Sequence, residues 1–359
     1  MANSTAKITS LSLHNFYGVD DWSADISENT HCIGSNGSGK THILNALHLA
    51  LGGKVLYGKN KLLPGTKITF TVQDANGMEM VYLFGNDGKK EYTMRGETIY
   101  TKPKYLQNLP IRSVFISPFD MNMLYFAPQI RRDYLDNVCA RAYPNFIKVQ
   151  RDFERTMRQR NALLKNIREG QSAFNDLDFW DSKFAEIAYL YGQYRIKFID
   201  FITSIMPEFP QFFGKYVIQI NYAGDWIYQE DPVGYIKTYL KNKRQRDILS
   251  GHTHIGPHRD DFGFYIKDND DEITENVQSF LSRGEMKMLL IGLKIGEAKW
   301  IQEKQDVSVI ILLDDLFSEL DPHNSDIFLD SIIQHQIFLT SQTPHKKTLK
   351  NKQFTCINL

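Results

Sequence analysis

The chain has 359 residues, with 42 Lys+Arg against 42 Asp+Glu and so no formal net charge at pH 7. At about 150 residues per domain this is room for two domains, each with a sizeable core. The charge balance excludes a chain that is basic throughout, so any nucleic-acid surface must be local. The three cysteines, Cys32, Cys139 and Cys356, lie far apart with no C-x-x-C spacing, which points to a reducing compartment and away from a cysteine zinc site. No basic stretch followed by an apolar core opens the chain, and apolar runs such as Val309–Leu313 are too short for a bilayer. A soluble, cytoplasmic protein without membrane contact is expected.

Taken in order, Leu11 and Leu13 alternate with Ser10, Ser12 and His14 as in a half-buried strand. A short β-leaning segment, Thr30–Ile33, then leads into Gly34-Ser35-Asn36-Gly37-Ser38-Gly39-Lys40-Thr41, and a helix-like run follows to Leu51. This is G-x-x-x-x-G-K-[ST] between a strand and a helix, the context in which backbone N–H groups and a helix N-terminus cradle phosphates. All eight residues are assigned to nucleotide binding, Lys40 also to catalysis by bridging the β- and γ-phosphates, and Thr41 to Mg²⁺. Ile68, Phe70 and Val72 alternate next. After the hairpin signal Asn76-Gly77, Met78, Met80, Tyr82 and Phe84 do the same, and a turn is expected at Asn86–Gly88. An antiparallel meander is therefore expected beside the phosphate loop, with Arg112–Ile116 as a further buried strand.

From about Ala127 the period becomes helical. Pro128 fits a helix start, and Asn145–Glu169 reads as a long amphipathic helix with Phe146, Val149, Phe153, Met157, Leu164 and Ile167 as its stripe. Its other faces carry Lys148, Arg151, Arg155, Arg158, Arg160, Lys165 and Arg168. Phe179–Ile205 reads as a second long helix, Tyr216–Tyr222 as a strand, and Val233–Leu249 as a helix carrying Lys241, Lys243 and Arg244. A charge run is most often a solvated face. These runs also suit sequence-independent phosphate contacts, and Lys148, Arg151, Arg155, Arg158, Lys241, Lys243 and Arg244 are the candidate DNA contacts. Three segments result: residues 1–126 with the phosphate loop, a mostly helical arm at 127–250, and a returning lobe at 251–359.

In that last segment Phe262, Phe264 and Ile266 alternate, with a polar turn at Asp268–Glu272. Ile310-Ile311-Leu312-Leu313-Asp314-Asp315 is four apolar residues followed by acids, the Walker B pattern. Asp314 is expected to meet Mg²⁺, and Asp315 to orient or deprotonate the attacking water. Leu281-Ser282-Arg283-Gly284-Glu285 resembles the ABC signature, a second helix N-terminus aimed at a γ-phosphate; it equally fits a capping box. In such heads Ser282, Arg283 and Gly284 act in trans, so that ATP glues two copies together. Asp321 fits either the loop crossing that interface or the N-cap of a helix at Pro322. His252, His254, His258 and Asp260 offer a metal-ligand pattern or polar packing, of which polar packing is the expectation. The fold class is α/β: an ABC-type, SMC-like P-loop ATPase head with a mostly helical inserted arm.

Beyond these motifs the chain resembles the RecF family over nearly its whole length. The resemblance rests on the phosphate loop, Arg131-Arg132-Asp133-Tyr134-Leu135-Asp136, Arg158–Lys165, Gly256-Pro257-His258-Arg259-Asp260-Asp261, Ser282-Arg283-Gly284, and Leu312–Asp321. It departs from the family pattern at Tyr17-Gly18, Phe119, Glu285 and Met286. The resemblance implies an ATP- and Mg²⁺-dependent homodimer with slow hydrolysis that binds single- and double-stranded DNA at gaps. It further implies RecR and RecO as partners, with RecA loading, replication restart and SOS induction as outcomes. The alternative is an ABC-type subunit of another system, a transporter or a chromosome-organising head.

Overall fold

The computed structural model describes residues 6–54, 62–86, 90–99, 101–208, 217–267, 273–318, 320–344 and 354–359. The expected turns at 87–88 and 268–272, residue 319 and most of the lysine-rich tail lie outside them. Two compact units are formed: Met1–Leu124 with Glu208–Lys215 and Leu281–Leu359, and Tyr125–Pro207 with Tyr216–Phe280.

The chain starts in the first unit with β1 (Lys7–Phe16), β2 (Val19–Asp25), β3 (Asn29–Ile33) and α1 (Lys40–Ala50). It continues through β4 (Thr66–Gln73), β5 (Glu79–Asn86), β6 (Lys90–Met94), β7 (Glu97–Ile99), α2 (Lys102–Asn108) and β8 (Ile111–Ile116). Six of these strands form one antiparallel sheet in the order β2-β1-β4-β5-β6-β7, the expected meander. Its register follows the alternation: Ile68 lies between Leu13 and Phe84, and all three are buried. At the hairpin the Asp74 carboxylate accepts from the N–H groups of Asn76 and Met78, and Gly77 takes φ +79°. Met78 is therefore a turn residue, exposed, and the alternation begins at Met80.

The second unit contains α3 (Pro128–Ala142), α4 (Phe146–Arg168), α5 (Leu177–Ile205), β9 (Val217–Ala223), α6 (Pro232–Ser250), β10 (Asp261–Lys267) and β11 (Ile273–Asn276). Phe146, Phe153, Phe184, Tyr191, Trp226 and Leu240 share its core. This unit runs to Phe280 rather than to the expected 250, and two further strands join the one expected at 216–222. Strand β10 pairs antiparallel with β9 along its whole length and carries β11 on its other side, so 251–280 belongs with the helices.

Two arginines expected on solvated faces are inside. Arg160 is fully buried, with Nε on Asp181 at 2.8 Å and Nη1 on Asp247 at 3.0 Å and on Thr253 Oγ1 at 2.7 Å. Arg244, a candidate DNA contact, is also buried and pairs with Asp181 at 2.7 Å and with Asp178. Hydrophobic periodicity cannot show this, because a paired arginine occupies a core position without adding to the apolar stripe.

The Gly256–Asp261 stretch is a staple of this unit. Arg131 clasps Asp261 with two bonds, 2.7 and 2.6 Å, and Arg132 donates to the Asp260 carbonyl. Arg195 joins Asp136 to the Pro257 carbonyl, and Tyr222 and Trp226 both donate to the Asp260 carboxylate. Gly256 has φ +111°, and a Cβ there would lie 3.0 Å from the Phe184 ring, so only glycine fits.

Back in the first unit come α7 (Arg283–Gln305), β12 (Ser308–Asp314), α8 (Pro322–Ile332), β13 (Gln336–Ser341) and β14 (Thr355–Asn358). Strand β14 was not expected from the local residue pattern. With β3 and β8 these strands form a parallel sheet ordered β14-β3-β13-β12-β8. Strands β13, β12 and β8 are buried on both faces, as a parallel sheet covered by helices requires. Because all five strands point the same way, Gly34, Asp314, Ser341 and Ser117 follow or end their strands at one edge, where ligands of open α/β sheets bind.

Candidate nucleotide site

Gly34–Thr41 joins β3 to α1. Gly37 and Gly39 have φ +83° and +94°, and a Cβ on Gly34 would lie 2.5 Å from Ser38 Oγ, so the loop's tight curl needs glycine at all three. The N-terminus of α1 has no side-chain cap and no acid in its first turn, which leaves its N–H groups and dipole unspent. Lys40 Nζ folds back over the loop and donates to the Gly34 and Ser35 carbonyls at 2.6 Å each. The buried Ser38 hydroxyl has no hydrogen-bond partner among the described residues.

Across the sheet edge, Thr41 Oγ1 donates to Asp314 Oδ1 at 3.0 Å, and Thr340 Oγ1 donates to the same oxygen at 2.8 Å. Burial raises the Asp314 pKa, and the two hydroxyls offset part of that rise. Asp315 sits in the left-handed region at φ +48°, with its N–H donating to the Thr340 carbonyl at 3.2 Å. A cleft of ≈ 300 Å³ lies between these groups, walled by Lys40, Thr41, His42, Phe119, Asp314 and Asp315 among others. An uncapped helix N-terminus, a lysine and an orphaned hydroxyl fit a polyphosphate. The Thr41–Asp314 pair supplies hard oxygen donors that fit Mg²⁺.

The signature residues lie elsewhere on the same unit. Ser282 is the N-cap of α7: its Oγ accepts from Glu285 N at 3.3 Å, and the Glu285 carboxylate accepts from Ser282 N at 2.8 Å. This is the capping box. Ser282, Arg283 and Gly284 are all exposed, and none of them walls the cleft. Asp321 is the N-cap of α8, accepting from Asn324 N at 2.9 Å, and these bonds from Asn324 hold its carboxyl below the usual range.

Sequence reading missed several residues that shape the cleft. Asp120 accepts from Ser117 N at 2.7 Å and Oγ at 3.1 Å, closing the turn that presents Phe119. Its other oxygen lies 3.0 Å from Lys294 of α7, both groups nearly buried. Ser117-Pro118-x-Asp120 carries the capping pattern that signals such a turn, but Lys294 reads only as a charge on a helix.

In the second unit, Lys148, Arg151, Arg155 and Arg158 are exposed at i, i+3, i+7 and i+10, which is one face of α4. Lys241 and Lys243 are exposed on α6. The histidine cluster is polar packing: His254 Nδ1 lies 2.7 Å from Asp247, His258 Nε2 lies 3.0 Å from the Thr253 carbonyl, and Asp260 is taken up by Tyr222 and Trp226.

The AAA domain family model matches residues 10–351. The DNA replication and repair protein RecF of Shewanella baltica (strain OS155) is 28% identical over 321 residues, 87% of this chain and 85% of its own. RecF of Shewanella woodyi is 25% identical over 352 residues, 94% and 91% respectively. Among solved structures, that of the recombination mediator protein RecF-ATP in the RecFOR pathway superimposes with a TM-score of 0.83 at 22% identity, covering 96% of this chain and 93% of that one. An SmcHead bound to the C-winged helix domain of ScpA gives 0.50 at 14% identity, covering 98% and 93%. No helix among the described residues is long and apolar enough to cross a membrane.

Proposed function

Because this chain belongs to the RecF family, within the AAA-domain ATPases, we propose that it is an ATP-operated DNA clamp. Two copies close head to tail over ATP, and the closed pair binds single- and double-stranded DNA at gaps. The observation that carries this reading is a split site. Phosphate loop, Thr41 and Asp314 are assembled in one cleft, while Ser282, Arg283 and Gly284 stand exposed outside it.

The loop N–H groups and the α1 N-terminus bind the phosphates, and Lys40 exchanges its two carbonyl partners for the β- and γ-phosphates. Thr41 and Asp314 would hold Mg²⁺, which when bound would neutralise charge on those phosphates. Asp315 orients the attacking water and accepts its proton as the bond to the leaving diphosphate breaks. Ser282 and Gly284 of the second copy donate to the γ-phosphate, with Asp321 in the loop that crosses the interface. Lys148, Arg151, Arg155 and Arg158, with Lys241 and Lys243, follow the DNA backbone without reading sequence. Hydrolysis is slow, DNA-stimulated, and times release. RecR and RecO are the expected partners, with RecA loading, replication restart and SOS induction downstream.

Light scattering behind size exclusion, with and without ATP-Mg²⁺ and gapped DNA across a salt series, tests this. A nucleotide-dependent dimer whose DNA affinity falls steeply with salt is expected. A chain that stays monomeric at saturating ATP-Mg²⁺ and DNA overturns it.

A further inference from the structure

Strand β9 is an edge strand among the described residues: its order is β11-β10-β9, with β10 on one side and nothing paired on the other. Its sequence, VIQINYA, has no charge and no proline, the usual devices that blunt an edge against pairing. Along this edge runs a groove of ≈ 650 Å³ formed by β9, the C-terminal half of α5 and the turn after β9. Its wall includes Asp200 from α5 and Asp225 beyond β9, and no cation.

Neither carboxylate is in an ion pair among the described residues, and the Gln219 Oε1 atom is buried there with no hydrogen-bond partner. Tyr228 lies on the rim, largely exposed. The part of its ring turned into the groove is desolvated, which raises its pKa, and the charges of Asp200, Asp225 and Asp260 add to that rise. An unpaired edge offers its N–H and C=O groups to another extended backbone, and the two acids beside it favour a segment that carries cations.

We infer that β9 is a docking site for an extended, lysine- or arginine-bearing segment of a partner protein, which adds to the sheet as a fourth strand beside β9. Main-chain pairing supplies the affinity, and Asp200 and Asp225 set the charge preference. At ~3.4 Å per residue, the seven residues of β9 accommodate a segment of about seven. The site is in the second unit and independent of the nucleotide cleft, so loss of ATP-driven dimerisation leaves it standing.

The probe is a fluorescent ten-residue peptide alternating valine and lysine, titrated by anisotropy against the full chain without nucleotide. Saturable binding is expected. It weakens at least tenfold with Asp200→Lys plus Asp225→Lys, and with Asn221→Pro on the edge strand. The double lysine variant changes exposed positions only, so it keeps the test valid if the proline variant does not fold. Two further peptides separate the causes. One keeps the lysines but carries N-methyl groups on alternate amides; the other has glutamate for lysine. Both are expected to fail. No binding by the lysine peptide, equal binding by the N-methylated or glutamate peptide, or full affinity in the double lysine variant each overturns the inference.

Discussion

Asp315 holds a backbone conformation that asparagine and aspartate tolerate and most residues do not. Asp315→Asn therefore keeps the turn while removing the proton acceptor. We expect nucleotide-dependent dimers to persist and the ATPase rate to fall by about 100-fold or more, read by phosphate release; a rate near wild type removes Asp315 from the mechanism. His258 gives a pH prediction. Burial lowers its pKa from 6.5 to about 4, its Nε2 serves the Thr253 carbonyl, and its buried Nδ1 has no partner, so a second ring proton would be stranded. The folded state thus binds fewer protons than the unfolded chain between those two values. Stability from this group is fully present above pH 6.5 and lost as pH falls toward 4, by about 3 kcal/mol in total. His335, also lowered by burial, adds to the slope, whereas buried Asp260, raised by burial, opposes it. Urea melts at pH 7, 5.5 and 4.5 are expected to show a shallower decline for His258→Gln than for wild type.

Helix α4 shows two kinds of arginine on one element. Arg160 bridges Asp181 and Asp247 in the core, so Arg160→Ala takes the shared cation from two buried carboxylates, leaving Asp181 to Arg244 and Asp247 to His254, and should destabilise by roughly 3–5 kcal/mol. Lys148, Arg151, Arg155 and Arg158 face solvent. Their combined replacement by alanine should leave stability within about 0.5 kcal/mol per site. The same change should flatten the slope of log K against log salt for duplex DNA by up to about 3.6. An unchanged salt slope would remove this face from the DNA surface. The hydrophobic stripe of α4 was legible in the sequence because Phe146, Val149, Phe153 and Leu164 recur at helical spacing. Which arginine was a core group was not, since that depends on carboxylates 21 and 87 positions away along the chain.

At the scale of the whole molecule, a shared site makes a distinctive prediction. Lys40→Met chains lack a working phosphate loop, and Ser282→Arg chains lack a working signature. Each alone should be inactive. Mixed in equal amounts, half of the pairs combine one of each and carry one intact composite site, so roughly a quarter of wild-type ATPase should return. No recovery on mixing would place both functions within one chain.

What the sequence determined by itself was local. The phosphate loop, the apolar strand ending in Asp314-Asp315, and the caps at Ser282 and Asp321 each depend on residues within a few positions of one another, and each stands where the spacing placed it. Tertiary structure decided what depends on distant partners. Parallel pairing of β3, β13 and β12 carries Thr41 to Asp314 across 273 positions and brings in Thr340. The pairing of β9 with β10 moves the unit boundary to Phe280, and burial turns Arg160 and Arg244 from surface charges into core ion pairs. The physical reason is common to all three: hydrogen-bond partners and dielectric surroundings are properties of the folded neighbourhood, and local periodicity reports neither.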